Sequence, residues 1–464
     1  MPITSSFSGA SARALGLTSS GYTAVGNGYW INRTNKASTN VWSYPKSMAV
    51  DSSGNMYYAG YSYAYPGGTD YSQNIVKYSS SGEVVWQRKI DTSGINDVAY
   101  SVSVDSSGNV YVFGFGNANT YGTYIKYNSS GSIQWQKRLS DSFIYVLPID
   151  SAIDSSGNLY IAGQTYNNST NNYDALVMKF DSSGSITWQR RVYTNNADLF
   201  TGIALDSSSN VYLCGITVRT GSQNKGIVFK YNSSGSLQWQ REFSSVDTVD
   251  SQGIVCDSAG AIYVASYYTD ASGGTKFGSV IKYNSSGVLQ WQTKTTYLAY
   301  PVSASGSAIN SQSIAIDSSD NLYVISPSLQ YTTSGGITYG SPNLIQKFNS
   351  SGTEQWARNF NLNNYIGAAA STVAINGSDF YILFATSFGA ETSLIGAKLP
   401  TDGGKTGNYS VGPVNITYNT VTTTVTSGTL TDASGGMTDT AGGISSSTAT
   451  LTDSANDLTV TVRD

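Results

Sequence analysis

The residues of this chain that could carry out chemistry are mainly carboxylates, which recur in the phrase Asp-Ser-Ser-Gly-Asn and its variants. The leading residues of the copies are Asp51, Asp105, Asp154, Asp206, Asp257 and Asp317, with Asn376 at a degraded seventh copy. Asp and Asn oxygens can bind calcium, but an EF-hand loop needs about five oxygen positions over about twelve residues. Here a strand begins directly after the Asn. The phrase therefore favours a hairpin turn whose Asp accepts hydrogen bonds from the backbone amides of that turn.

Other catalytic side chains are scarce. The chain contains no histidine, which excludes Ser-His-Asp and Cys-His catalysis, histidine-ligated metals and an axial haem histidine. Cys214 lies in a predicted strand and Cys256 in the next repeat, and a small buried thiol is favoured over a disulfide or a redox role for Cys214. The sequence predicts no catalytic, cofactor-binding or metal-ligating residue, and we expect the protein not to be an enzyme. Catalysis by carboxylates alone stays open.

Tryptophan marks a second recurring phrase, in which a short apolar run, a Ser-Ser-Gly turn and an apolar-x-Trp segment follow one another. Its tryptophans are Trp86, Trp135, Trp188, Trp239, Trp291 and Trp356, six of the eight in the chain. Self-similarity at a spacing of about fifty residues indicates a repeat architecture. In copies such as 236–240, apolar and polar residues alternate with the period of two that a strand requires. Each repeat therefore contains two hairpins, or four antiparallel strands.

Repeats of four antiparallel strands are the blades of β-propellers. Seven hairpins of the Asp type, and seven tryptophans if Trp42 is included, predict an all-β fold: a seven-bladed β-propeller of four-stranded antiparallel blades with a β-rich C-terminal extension. Trp42 precedes the first Asp hairpin. We therefore expect an N-terminal strand near Trp42 to close the ring by pairing with residues 394–398, because such closure removes free sheet edges.

Three domains follow from this pattern. They are an N-terminal docking segment (1–35), the seven-bladed β-propeller (36–404) and a Thr/Ser/Asp-rich β-strand extension (405–464). The extension alternates like a strand, for example at 458–462, but has little side-chain bulk and cannot bury a core of its own. We expect it either to pair along another chain by strand addition or to be disordered in isolation.

The charge and hydropathy of the chain limit the kinds of partner that it can bind. Charged residues make up 12% of the 464 residues, and the net charge is −4 without a basic tract, so we expect no nucleic-acid binding. No run approaches the roughly 18 apolar residues of a membrane span, so no membrane insertion is predicted. Residues 1–20 carry one charge, Arg13, and no continuous apolar core. We therefore expect no signal peptide and no membrane anchor.

The tryptophan phrase resembles motifs of two propeller families. In the Asp-box of sialidases the glycine precedes the tryptophan by three positions, whereas four separate Gly235 from Trp239 here. The resemblance to quinoprotein propellers is closer, because these also carry Gly-x-x-x-Trp in each blade. Their cofactor site needs a vicinal cysteine pair, which Cys214 and Cys256 do not form, so no cofactor is predicted. We expect the tryptophans to pack between blades rather than to stack on a ligand.

The two faces of the predicted ring differ. The Ser-Ser-Gly turns lie on one face, called here the turn face, and the more variable loops within and between blades lie on the other, the variable face. Loops rich in Tyr, Asn, Ser and Gly on a rigid scaffold are typical of recognition surfaces. The tyrosines predicted in the variable loops are Tyr63, Tyr65, Tyr166, Tyr173, Tyr267, Tyr268, Tyr331 and Tyr339. They either bind a partner or merely solvate a protein poor in charge.

Over about residues 38–400 the repeats resemble seven-bladed β-propellers of bacterial and phage surface proteins. The N-terminus, Met1-Pro-Ile-Thr followed by Phe7-Ser-Gly-Ala-Ser-Ala-Arg-Ala-Leu-Gly, is similar to that of structural proteins from tailed marine bacteriophages. Lys398-Leu-Pro-Thr-Asp-Gly-Gly-Lys-Thr-Gly and the tail after it are similar to the sequence that follows such propellers in these virions.

This resemblance implies a non-enzymatic virion structural protein: a tail fibre, baseplate or capsid-associated propeller located in the virion in multiple copies. Both termini would dock on other virion proteins, and the variable face would recognise a host-surface glycan, a receptor or another protein. Two alternatives stay open. One is a bacterial carbohydrate-binding surface propeller, and the other is a glycan-active enzyme that uses carboxylates only.

Overall fold

The computed structural model is all-β. In the described part of the chain, every secondary-structure element is a β-strand. The described residues are 17–26, 28–36, 41–64, 71–91, 96–116, 121–140, 146–167, 171–194, 196–218, 224–244, 248–269, 276–296, 313–327, 331–332, 338–339, 343–363, 366–388, 391–411, 414–420, 424–427, 431–434, 438–441, 445–447 and 459–461.

The described part of the chain begins with a hairpin of β1 (Leu17–Gly26) and β2 (Tyr29–Lys36). Seven antiparallel sheets then follow, numbered here as blades 1 to 7, with strands a to d running outwards from the centre of the ring. Blades 1 to 3 consist of β3 (Val41–Val50), β4 (Met56–Ala64), β5 (Ser72–Tyr78), β6 (Val84–Asp91); β7 (Val98–Val104), β8 (Val110–Gly116), β9 (Tyr121–Tyr127), β10 (Ile133–Ser140); and β11 (Val146–Ile153), β12 (Leu159–Asn167), β13 (Asn172–Phe180), β14 (Ile186–Tyr193).

Blades 4 and 5 consist of β15 (Ala197–Leu205), β16 (Val211–Val218), β17 (Lys225–Tyr231), β18 (Leu237–Ser244); and β19 (Val249–Cys256), β20 (Ile262–Thr269), β21 (Lys276–Tyr283), β22 (Leu289–Thr296). Blade 6 contains β23 (Ser313–Ile316), β24 (Leu322–Pro327), β27 (Asn343–Phe348) and β28 (Glu354–Asn363), with a small hairpin of β25 (Tyr331–Thr332) and β26 (Thr338–Tyr339) between its strands b and c. Blade 7 contains β29 (Ile366–Asn376), β30 (Asp379–Phe388), β31 (Glu391–Pro400) and, as strand d, β2.

The hydrophobic core lies between the blades. Each strand a contacts strand a of the next blade, and β29 contacts β3, which closes the ring. One core cluster, for example, joins Tyr57 and Ile75 of blade 1 to Val110 and Ile125 of blade 2. Because each blade is covered on both faces by its neighbours, strand b is apolar on both sides, and all seven residues of β8 are buried.

An N-terminal strand closes the ring, as predicted, but the prediction that this strand contains Trp42 is wrong. Residues 30–34 of β2 pair with residues 394–398 of β31, and Trp30 lies opposite Lys398. Trp42 lies in β3, opposite Tyr63. The physical reason is the length of β3. Strand a of blade 1 needs the ten residues before the first Asp turn, so only the earlier Trp30 can serve strand d of blade 7.

The C-terminal extension forms a belt around the outside of the ring, made of β32 (Gly407–Val411), β33 (Val414–Thr420), β34 (Thr424–Ser427), β35 (Thr431–Ser434), β36 (Thr438–Ala441), β37 (Ser445–Ser447) and β38 (Thr459–Thr461). After its hairpin with β32, β33 pairs with strand d of blade 6. The strands β34 to β37 pair with strands d of blades 5, 4, 3 and 2, and β38 pairs with that of blade 1. In blade 7 the corresponding fifth strand is β1. The extension thus pairs with its own chain.

A seven-residue spacing fits the belt to the blades. The belt strands on blades 5 to 2 begin at Thr424, Thr431, Thr438 and Ser445, each opposite the last residue of a strand d. Neighbouring strands in a sheet are rotated by roughly 20–25°, so a fifth strand is turned by roughly 80–100° from strand a and follows the circumference. Seven residues span at most about 23 Å when extended, and successive belt strands pair with successive blades. Pairing through the main chain lets a sequence with little side-chain bulk form the belt.

No helix that is long and apolar enough to cross a membrane occurs among the described residues.

Candidate functional site

The Asp residues of the repeated phrase are structural parts of their turns, as predicted. Asp51 Oδ1 accepts hydrogen bonds from the amides of Ser53 (3.0 Å) and Asn55 (2.9 Å). Its Oδ2 accepts them from Asn55 Nδ2 (2.8 Å) and the Tyr57 hydroxyl (2.9 Å). Burial alone would raise the pKa of Asp51, but these hydrogen bonds outweigh it and lower the pKa. The amide and Tyr bonds recur at Asp105, Asp154, Asp206, Asp257 and Asp317.

The tryptophans join neighbouring blades, which confirms that they are packing residues. The indole of Trp188 lies on Gly235, and its Nε1 donates to the carbonyl of Ser233 at 3.0 Å. Gly235 has a φ of 77°, and a Cβ there would lie 2.7 Å from the indole. The turn thus needs glycine both for its backbone and for the close approach of the ring. Trp86, Trp239, Trp291, Trp356 and Trp30 make equivalent bonds to the next blade.

A lysine of strand c completes this network. In blade 5, Lys282 Nζ lies 4.6 Å from the centre of the Tyr263 ring and 3.4 Å from Asp257 Oδ2, and it donates to the carbonyl of Ser350 in the next blade. The carboxylate, hydroxyl and ammonium groups of this network are therefore committed to contacts within and between the blades.

The two cysteines are free, and the prediction of a buried thiol at Cys214 is confirmed. Cys214 is buried, and burial raises the pKa of its thiol to about 12. Burial likewise raises the pKa of the half-buried Cys256 to about 12. Neither thiol has the thiolate character that redox or nucleophilic chemistry needs near neutral pH.

Strands a line the centre of the ring, and in six of them a β-bulge interrupts the pairing with strand b near the variable face. The residues left unpaired are Lys46, Tyr100, Ile149, Thr201, Gln252 and Ser371. A bulge bends its strand and redirects a side chain. The bulges therefore define a rim, in which Lys46 is the one charged residue among these six.

Polar residues next to the rim link strands a of different blades. Ser47 accepts a hydrogen bond from the Val102 amide at 3.2 Å, and Asp150 Oδ2 accepts one from the Ile203 amide at 3.0 Å. Burial raises the pKa of Asp150 to about 6. Its hydrogen-bond partners are amide and hydroxyl groups rather than a second carboxylate. The observed contacts therefore give Asp150 a structural role.

Among the described residues, no group of three or more His, Cys, Asp or Glu side chains could hold a metal ion.

The tyrosines predicted in the variable loops lie mostly in strands, because strands b and c continue towards the loop. Tyr166 and Tyr173 face each other across β12 and β13 with their ring centres 5.1 Å apart, and Tyr173 is 38% exposed. Tyr331 and Tyr339 pair in the hairpin of blade 6.

Tyr267 and Tyr268, which were also predicted in a variable loop, lie in β20 instead. Tyr267 donates a hydrogen bond to Asp250. Tyr268 is only 3% exposed and packs on Phe277, so the prediction that it lies in a recognition loop is wrong. Strand alternation at consecutive positions places one of these tyrosines in the core. Tyr65 lies outside the described residues.

A larger group of aromatic residues, which the sequence did not reveal, lies at the variable end of blade 1. This tyrosine cluster consists of Tyr44, Tyr61, Tyr63 and Tyr71, all half-buried. Tyr44 stacks on Tyr61 with ring centres 5.2 Å apart, and Tyr71 meets the Tyr63 ring edge-on at 5.0 Å. Alternation on β4 was the available signal. The prediction that the segment around Trp42 belongs to another blade separates Tyr44 from its neighbours on β4.

Lys46 lies between the tyrosine cluster and blade 2. Its Nζ is 5.8 Å from the centre of the Tyr61 ring and 5.3 Å from that of Tyr100. Burial lowers the pKa of Lys46. The arrangement places one cation beside several aromatic rings at the rim of the ring centre.

The closed ring, its four-stranded blades and its Trp-on-Gly contacts define a seven-bladed β-propeller. Over residues 72–357 the chain matches the family described as outer membrane protein assembly factor BamB, and it belongs to this family. No curated protein matches the chain in sequence.

Several solved structures are similar to the chain. A mutant of puromycin hydrolase complexed with PGG has a TM-score of 0.48 and 9% identity, with 74% of this chain and 50% of that chain covered. The β-propeller domain of the Trilobed protease from Pyrococcus furiosus has a TM-score of 0.41 and 8% identity, with 75% and 97% covered. A gluconolactonase from Xanthomonas campestris has a TM-score of 0.35 and 10% identity, with 86% and 100% covered. At these identities nothing follows for the activity of this chain.

Proposed function

We propose that the protein is a non-enzymatic structural component of a virion, such as a tail fibre, baseplate or capsid-associated propeller, whose variable face recognises the host surface. The contrast between its two faces is the observation that supports this best. On the turn face, polar groups such as Asp257, Tyr263 and Lys282 are committed to contacts within and between blades. On the variable face, the tyrosine cluster and Lys46 keep part of their surface accessible.

The covered sheet edges suit a protein that is packed closely in an assembly. Exposed strand edges pair readily with other chains. The belt and β1 give every blade a fifth strand, so such pairing is restricted. The similarity of the two chain ends to structural proteins of tailed marine bacteriophages supports the choice of a virion.

Copurification tests this proposal. Particles from a lysate of the source culture are banded in a density gradient, and the chain is quantified in each fraction by mass spectrometry. We expect it to comigrate with the major particle proteins at a constant ratio through a second gradient. A chain found only in the soluble or cell-envelope fractions would contradict the virion role.

A scaffold in the assembly of outer membrane proteins is the second candidate function, and the family match over residues 72–357 favours it. Fractionation of cells distinguishes the two, because this scaffold would copurify with outer membrane proteins in cells that release no particles. Incubation with host polysaccharide tests the enzymatic alternative, for which shortened products would be expected.

A further inference from the structure

We propose that the surface where blades 1 and 2 meet at the variable face binds an acidic saccharide, with the sugar carboxylate on Lys46 and the sugar ring on the tyrosine cluster. This inference rests on the proposed recognition function and names the chemical class of its ligand.

The ammonium group of Lys46 supplies the positive charge that an acidic ligand would contact. Four lysines of the ring have carboxylate partners: Lys225, Lys282, Lys347 and Lys398. Lys46 instead lies between the rings of Tyr61 and Tyr100. A partly buried ammonium group has lost some of its hydration, and a bound anion would restore the missing interactions.

The backbone around Lys46 places this charge where blades 1 and 2 meet. Lys46 is the unpaired residue of the β-bulge between Pro45 and Ser47. The neighbouring bulge residue, Tyr100, contacts the same ammonium group from blade 2. Lys46 therefore sits where two blades meet, at the rim that opens on the variable face.

The tyrosine cluster supplies a preorganised aromatic surface. Tyr61 and Tyr63 lie two residues apart on β4 and so project from the same face of the blade. The backbone of Tyr71 is held from blade 2, because its amide donates to Asn96 Oδ1 at 3.2 Å and its carbonyl accepts from the Asp97 amide at 2.8 Å. Tyrosine offers contact area and a hydroxyl at a low cost in conformational entropy.

The numbers of charges and rings favour a saccharide over an acidic peptide. One cation beside four tyrosines matches one carboxylate on a ring with apolar C–H faces. A run of Asp or Glu residues would need several cations, and Lys46 is the one charged residue among the six bulge residues.

Isothermal titration calorimetry of the full chain tests the inference. The probes are trigalacturonate, a hyaluronan tetrasaccharide and sialyllactose, with maltotriose as the neutral sugar, acetate as the free carboxylate and triglutamate as the acidic peptide. We expect at least one acidic saccharide to bind more tightly than maltotriose, acetate and triglutamate. Lys46→Met should weaken this binding by about tenfold or more, and Lys46→Arg should retain most of it.

Tyr63→Ser should also weaken binding, whereas the matched control Tyr173→Ser changes an exposed tyrosine of the same face on blade 3 and should leave it unaltered. Thermal melting checks that each variant is folded. If Lys46→Met does not fold, the test uses Tyr63→Ser instead. In that case Tyr63→Ser should lose binding while Tyr173→Ser keeps it.

Three results would overturn the inference: no acidic saccharide binds, Lys46→Met binds as tightly as the unaltered protein, or triglutamate binds best. A failure here is distinguishable from a failure of the proposed function. If the protein copurifies with particles and adsorbs to host cells without binding acidic sugars, the recognition function stands and only this ligand class is wrong.

Discussion

Trp30 Nε1 donates a hydrogen bond to the carbonyl oxygen of Ser80 at 3.0 Å, and this bond joins the last blade of the ring to the first. Trp30 is 1% exposed and also packs on Gly82, in the same arrangement that Trp188 makes with Gly235. An N-terminal residue thus occupies the seventh position of a repeat whose other members lie far along the chain. The stability of the ring consequently depends on its N-terminal hairpin.

Removing that hairpin is the first prediction. Deletion of residues 1–36 removes β1 and β2 and exposes the edge of β31, so we expect a clearly lower melting temperature in calorimetry. The control is deletion of residues 1–16, which leaves every described strand in place. Trp30→Ala alone should lower the free energy of unfolding by about 3–5 kcal/mol, as for other buried tryptophans. Equal melting of both deletion variants would show that β2 does not close the ring.

Glycine substitutions test the contact between blades. In Gly235→Ala the new Cβ would meet the Trp188 ring at 2.7 Å and also strain a residue with φ of 77°. Gly157 has the same φ, but its nearest neighbour would lie 3.7 Å away. We expect Gly157→Ala to cost about 1 kcal/mol in urea unfolding, from backbone strain alone, and Gly235→Ala to cost at least about 2 kcal/mol more. Similar costs for the two would argue against tight Trp packing.

Truncation after residue 423 removes the belt strands from blades 1 to 5. The described core clusters lie between the blades, so the truncated protein should keep its β-sheet circular dichroism. The edges of strands d, such as β18, would then be exposed to other chains. We expect concentration-dependent self-association in sedimentation velocity, together with faster hydrogen exchange of the amides at 241–244. A truncated protein that stays monomeric with unchanged exchange would contradict the belt.

Because the pKa of Asp150 is raised in the folded protein, we expect the free energy of unfolding to depend on pH. Its pKa rises from 3.8 to about 6 on folding because the carboxyl is buried. Below about pH 4 the group is protonated in both states and carries no penalty. As the pH rises through 4 to 6 the folded state must ionise a buried group, and the free energy of unfolding falls by about 2–3 kcal/mol.

Asp150→Asn should remove this fall, so that the variant is more stable than the unaltered protein at pH 7, as measured by urea unfolding at several pH values. Asp154→Asn is the matched control. Hydrogen bonds in its turn outweigh burial and lower the pKa of Asp154, so this substitution should destabilise the protein at neutral pH and matter less in acid. If Asp150→Asn keeps the pH profile of the parent, Asp150 is not the group responsible.

The blade could be predicted from the sequence because its signals are local. The Asp turn, the glycine with positive φ and the alternation of apolar residues each concern a few neighbouring positions, and they recur around residues such as Asp154 and Gly157. Closure required a choice between Trp30 and Trp42, which depends on the length of β3 rather than on any motif.

The pairing of the belt and the contacts of the tyrosine cluster depend on residues far apart in the sequence. Belt strands such as β35 pair through main-chain groups, which leave little trace in side-chain chemistry, and their partners lie almost two hundred residues earlier in the chain. The cluster depends on the register between β3 and β4, and its link to Lys46 depends on a bulge. Because Tyr61 and Tyr63 are both aromatic, the sequence pattern does not specify which of them lies opposite Tyr44.

Selective blocking of the two faces tests the central claim, that the turn face is scaffold and the variable face recognises the host. Cys214 and Cys256 are first replaced by Ser, and a single cysteine is introduced at Tyr173 on the variable face or at Val288 on the turn face, which are 38% and 52% exposed. Each is coupled to a maleimide polyethylene glycol, and adsorption to host cells is measured by flow cytometry. The account predicts that the polymer at position 173 abolishes adsorption while the polymer at 288 leaves it intact. Equal adsorption of the two conjugates, or loss only with the polymer at 288, would contradict it.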